Sequence, residues 1–221
     1  MRPLRGHGTF SHYKLSEIEL RQLLDEYAQL DTFMRRFEEI TRVIYPDSRN
    51  LDAYGFEIRS LLILACTEVE LLFKRLLWNE TSGVRGNMPI FFKGAFEAKL
   101  PEYHIKFNFY PQLNEVRPFG VWNKSPLYVP LDWYQAYNAT KHNRHSSVEE
   151  ANLSSLIHAL AACAVLLRAQ TANLSLSNVK HPALERFFSV FSVGEPQWMG
   201  DEHYWVLPNR PLKILPVPGI A

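Results

Sequence analysis

This chain of 221 residues has two cysteines, no surplus of charge of either sign, and no apolar run long enough to span a membrane. Each shortage excludes something. Cys66 and Cys163 both fall inside apolar helical patterns, so they read as small buried hydrophobes rather than a disulfide framework. They could pair only if two helices set them opposite each other. Twenty-four Lys and Arg against twenty-three Asp and Glu leave a formal charge of +1. No overall basic field pulls such a chain onto nucleic acid or an anionic membrane, so any phosphate binding must rest on a local patch. The longest uninterrupted apolar stretch, Ala159 to Leu167, falls short of the ~20 residues a bilayer span needs. Met1 to Tyr13 hold Arg2, Arg5, His7 and His12 and no apolar core, so no signal peptide is read there. P-loop, GxGxxG, GxSxG and CxxC signatures are all missing, which removes the familiar nucleotide-fold, hydrolase and redox readings. A cytoplasmic protein without a cofactor, a bound metal or a membrane partner is expected.

What is present is mostly helical pattern. Ser16 and Glu19 form a capping box, and apolar or aromatic residues recur at Leu20, Leu23, Tyr27, Leu30, Met34, Phe37 and Ile44. Tyr45-Pro46 ends that helix. A second helix is expected from about Leu51 to Trp78, with Leu61, Leu62, Ala65, Val69, Leu72, Phe73, Leu76 and Leu77 on a broad apolar face. Arg59, Glu68, Glu70 and Lys74 ride with it. Residues 83–131 differ in character: they hold six prolines, many aromatics and the alternation Tyr103, Ile105, Phe107, Phe109. That pattern predicts a strand, one arm of a small hairpin whose partner lies near Val116 to Trp122. Helix returns at Leu131 or Asp132, and a nearly all-apolar helix starts at Ser146 or Ser147 and runs to Gln170. Pro182 opens a short amphipathic helix through about Phe191. The expected organisation is a flexible N-terminus over 1–15, one helical domain over 16–194 with the insert, and a Pro-rich extended tail over 195–221.

Chemistry concentrates just before the apolar helix. The run from Trp133 to His145 (WYQAYNATKHNRH) holds an amide, an ammonium, a guanidinium and two imidazoles within a few helical turns. On a helix Asn138, Lys141, His142 and His145 share a side, with Arg144 beside Lys141. Metal-free RNA cleavage needs a base for the 2′-hydroxyl, an acid for the leaving oxygen and cations for the phosphorane charge. His142 suits either proton task, Arg144 and Lys141 suit the phosphate, and Asn138 suits its orientation. RNA or nucleotide binding without cleavage needs only Lys141, Arg144 and a stacking ring from Trp133 or Tyr137. The same residue types also make an interhelical clamp, with Asn138 and His142 on backbone carbonyls and Lys141 and Arg144 paired with Glu68, Glu70, Glu149 or Glu150. A third alternative sets His142, His145 and Glu149 on one helical face as metal ligands. His158, among Leu156, Ile157 and Leu160, reads as a core histidine unless it faces the cluster.

The layout of Ala65 to Lys74 (ACTEVELLFK), the polar run, and Ile157 to Leu167 (IHALAACAVLL) resembles HEPN-like domains. The resemblance covers about Leu51 to Gln170, interrupted by the insert. It implies a mainly α, antiparallel helical bundle of the kind found in prokaryotic toxin–antitoxin and phage-defence systems. It further implies a homodimer, RNA as the substrate class, and an antitoxin or other protein partner. Catalytic members carry an Arg followed by a His after four to six residues. In this chain His142 precedes Arg144 and His145 follows it directly, so the order differs. The spaced pair Arg5 and His12 lies in the N-terminal segment.

Overall fold

The computed structural model describes residues 17–77, 86–96, 98–124, 126–142, 148–171 and 186–192. Ser16 of the capping box, both terminal segments and Pro182 lie outside them. Helix α1 (Glu17–Thr41) buries Leu23, Tyr27, Leu30, Met34 and Phe37 at the anticipated spacing, and adds Phe33 and Ile40. It stops where the Thr41 hydroxyl turns back to the Glu38 carbonyl at 3.0 Å and meets the Tyr110 hydroxyl at 2.8 Å.

Helix α2 (Phe56–Leu77) begins five residues later than the apolar pattern suggested. Residues 51–55 are committed elsewhere: the Leu51 and Ala53 carbonyls accept the amides of Ser154 and Leu153 at 2.9 and 2.8 Å. The long apolar helix, too, starts later than Ser146 or Ser147. Asn152 caps it, its Oδ1 accepting the Ser155 amide at 2.9 Å, which satisfies one of the open donors of the first turn.

In the chain's nearly all-apolar segment (Leu153–Thr171), every residue from Leu156 to Leu167 except His158 is buried. By length and composition Leu153–Gln170 could cross a bilayer, but 83% of it is buried inside the protein. It is the central helix, against which α1, α2, both strands and the helix carrying the polar run all pack. Ala159, Ala161, Ala162 and Ala164 carry almost no side-chain bulk, so neighbouring backbones come close: the Cys163 Sγ donates to the Ala65 carbonyl at 3.4 Å.

The insert contains a helix that the sequence reading left out, α3 (Met88–Ala95). Its signal was local: Asn87 caps the Ile90 amide at 3.1 Å, and Pro89 sits in the first turn, where no amide is needed. Its rings are taken into the core, Phe91 stacking on Phe73 at 4.6 Å between centroids. Strand β1 (Tyr103–Phe107) buries Tyr103, Ile105 and Phe107, as the alternation predicted. Its pairing differs in part from expectation. Ile105 and Val116 exchange two backbone bonds of 2.9 Å, a single bridge at the anticipated hairpin position. The ladder itself is made with β2 (Phe188–Ser192), antiparallel from Tyr103↔Ser192 to Phe107↔Phe188. Residues 188–191, expected as the end of a helix, are thus strand. β1 supplies the backbone partners that draw this segment into an extended conformation. The described chain is mainly helical, with one two-stranded sheet packed against the central helix.

Candidate functional site

The polar run lies on α4 (Asp132–His142), which starts at the second of the two expected positions, where Pro130 and Asp132 signal a helix N-terminus. The central helix, Leu153–Thr171, is α5. Among the described residues, three side-chain hydrogen bonds tie α4 to the rest of the fold. The Trp133 indole donates to the Pro118 carbonyl at 2.9 Å, and the Tyr134 hydroxyl donates to Glu70 Oε1 at 2.7 Å. At the other end, an Arg59 guanidinium nitrogen donates to the Thr140 carbonyl at 3.3 Å. A cation at the last carbonyls of a helix also suits the negative end of its dipole. Burial, then the Glu70 carboxylate, pushes the Tyr134 phenol far above its ordinary range, so it is a fixed neutral donor.

This arrangement corrects the aromatic part of the sequence reading. Tyr137 is 1% exposed and Trp133 5%, so neither ring can stack on a base. Tyr137 instead packs on Tyr134, 5.2 Å between centroids, and leaves only its hydroxyl at the edge. There it accepts from Lys141 Nζ at 2.9 Å. Lys141 is itself exposed, and the Tyr137 hydroxyl strengthens its hold on its proton. Asn138, half-buried, makes no side-chain hydrogen bond among the described residues. Thr140 is consumed locally, its hydroxyl donating to the Ala136 carbonyl at 2.9 Å.

Of the two acidic partners expected from α2, Glu68 and Glu70, only Glu70 reaches α4, and it bonds Tyr134 rather than Lys141. Glu68 is a correction. Two residues along a helix turn the side chain by roughly 200°, so both glutamates could not face α4. Glu68 lies beside Glu26 and Arg75 instead, where α1 meets α2 and Arg75 pairs with Glu26. Burial, then Glu26, raises its carboxyl above the usual range. Arg144 and His145 lie outside the described residues. His142 is the last residue of α4, and its side chain is not among those described. The metal alternative, His142 with His145 and Glu149, falls mainly on these positions.

Arg59 is the residue that sequence reasoning passed over. It sits eleven positions before Glu70, about three helical turns, and so on the same face of α2. Its Nε is buried without a hydrogen-bond partner, so the guanidinium uses only part of its donor set. Arg59 and Lys141 therefore bring two cations to the end of α4, with Asn138 alongside on that helix. Neither of the two clefts found among the described residues is lined by Asn138 or Lys141. No protein-family model, curated protein or solved structure matches the chain.

Proposed function

We propose that this protein is a HEPN-like helical module that binds RNA along the C-terminal edge of α4, in a prokaryotic defence or toxin–antitoxin type of system. The observation that carries the reading is the exposed Lys141 ammonium on a helix end held by Arg59 and Tyr134. A pre-positioned cation pair can meet a phosphodiester with little ordering cost. Arg144, three positions beyond Lys141 in sequence, adds a third cation to the proposed edge, and Asn138 supplies an uncommitted amide. Cleavage, where it occurs, falls to His142 as acid or base with Arg144 on the phosphate, without metal. Homodimerisation, an antitoxin-like protein partner and a cytoplasmic location belong to the same proposal.

A second reading has its own support. Tyr134–Glu70 and Arg59–Thr140 join α2 to α4, which is what a non-catalytic scaffold or dimerisation module with a structural clamp requires. The two separate in one experiment. Purified protein is mixed with labelled single-stranded RNA, with and without chelator, beside His142→Ala and Arg144→Ala. Binding lost in Arg144→Ala, and any cleavage lost in His142→Ala, fits the RNA reading. Cleavage unchanged in both variants removes the assigned residues, and no binding to any RNA leaves the scaffold.

A further inference from the structure

Two clefts meet at Ser154 and His158. One, of about 400 Å³, opens between the insert and the first turns of α4 and α5. The other, of about 220 Å³, continues past Ser154 and His158 toward Glu115. The larger is held open by two indoles: Trp133 bonds the Pro118 carbonyl and Trp122 the Val129 carbonyl, both at 2.9 Å. Pro118 and Val129 both line the cleft, so its wall is fixed before any ligand arrives.

His158 is not a satisfied core residue. It is half-buried, and its Nδ1 lies 2.9 Å from the Ser154 carbonyl. A carbonyl oxygen only accepts, so Nδ1 carries the hydrogen and, in the neutral ring, Nε2 presents a lone pair. Nε2 has no partner among the described residues. Three charged side chains line the same cleft: Arg117, Asp52 and Asp132. All three are exposed, and none makes an ion pair or side-chain hydrogen bond among the described residues. Leu131, in the cap position of α4, offers no side-chain oxygen to the first-turn amides.

One guanidinium, two carboxylates and an imidazole acceptor specify a ligand by charge. The formal sum of −1 disfavours a phosphodiester strand, which separates this cleft from the α4 edge. It suits a molecule with one carboxylate and two cationic donor groups. We propose that the cleft binds a free α-amino acid with a basic side chain. The carboxylate meets Arg117 and the Asp132 and Trp133 amides at the start of α4, and the ammonium groups meet Asp52, Asp132 and His158 Nε2.

The test is calorimetric titration of the full chain with lysine, norleucine, cadaverine and inorganic phosphate. Norleucine lacks the side-chain cation and cadaverine the carboxylate. Saturable lysine binding is expected, with norleucine and cadaverine each weaker by about tenfold or more, since each loses a charged hydrogen bond. Arg117→Gln and Asp52→Asn are exposed changes that leave folding intact, and each should weaken lysine to a similar extent. Lysine binding indifferent to both variants, binding of phosphate in its place, or no lysine binding at all overturns the proposal.

Discussion

Helix α2 meets two neighbours by opposite means. Against α5 it is dry: Leu61, Leu62, Ala65, Cys66 and Val69 are fully buried, and the Cys163 thiol donates to the Ala65 carbonyl across the seam. Against α4 it is polar, joined through Tyr134 to Glu70 and Arg59 to the Thr140 carbonyl. The dry seam derives its stability from removed water and close packing, and tolerates no change in volume. The polar seam adds little net stability but fixes orientation, because each half-buried group is costly to leave without its partner. A helix that must present an exposed cation at a set position is better held by the second kind of contact.

The largest effect should come from opening the aromatic core where α2 meets the insert. Phe73 stacks on Phe91 and packs edge-on to Phe119, so Phe73→Ala should cost about 3–5 kcal/mol in a denaturant melt. A loss under 1 kcal/mol would mean that the aromatic core is not packed as described. The thiols offer a gentler probe, of the dry α2–α5 seam itself. Burial raises both Cys66 and Cys163 well above the ordinary thiol range, so an alkylating reagent at pH 8 should label neither until the protein unfolds. Fast labelling of native protein would place water in the seam.

Next is the polar contact. Tyr134→Phe leaves Glu70 without its donor and should cost about 1–3 kcal/mol. A cycle with Glu70→Gln should show coupling of about 0.5 kcal/mol or more, and additive losses would dissolve the clamp. Smaller again is Glu68, at the α1–α2 contact. Its folded carboxyl binds a proton more tightly than the unfolded one, through burial and the nearby Glu26. Stability from this group is therefore present at low pH and declines as pH rises from the ordinary carboxylate range through the raised folded value. Glu68→Gln should flatten that decline and raise the neutral-pH melting temperature slightly. A lower melting temperature at neutral pH would count against the assignment.

The dry half of this comparison was legible in the sequence and the polar half only in outline. Leu23 to Phe37 and Leu61 to Leu76 mark their own burial by spacing, because apolar faces have one destination. Boundaries were less readable: residues 51–55 look helical by composition, yet the Leu51 and Ala53 carbonyls are taken by the start of α5. Phe188 to Ser192 became strand because β1, some eighty residues away, needed an edge partner. Around the site, Asn138, Lys141 and Glu70 were found by residue type, whereas Glu68 was placed on the wrong side. Arg59 was given no partner, and His158 was read as a core histidine, because a polar residue's role depends on what stands opposite it. Only Arg59's place on Glu70's face was there to be read.

The account turns on whether Lys141 is a phosphate contact mounted on a rigid helix. Single-stranded RNA binding measured across salt concentrations for the intact protein and for Lys141→Gln tests this directly. The exposed substitution should leave the melting temperature unchanged, weaken binding, and reduce the slope of log affinity against log salt by about 0.7. Equal affinity and equal slope in the two proteins would contradict it.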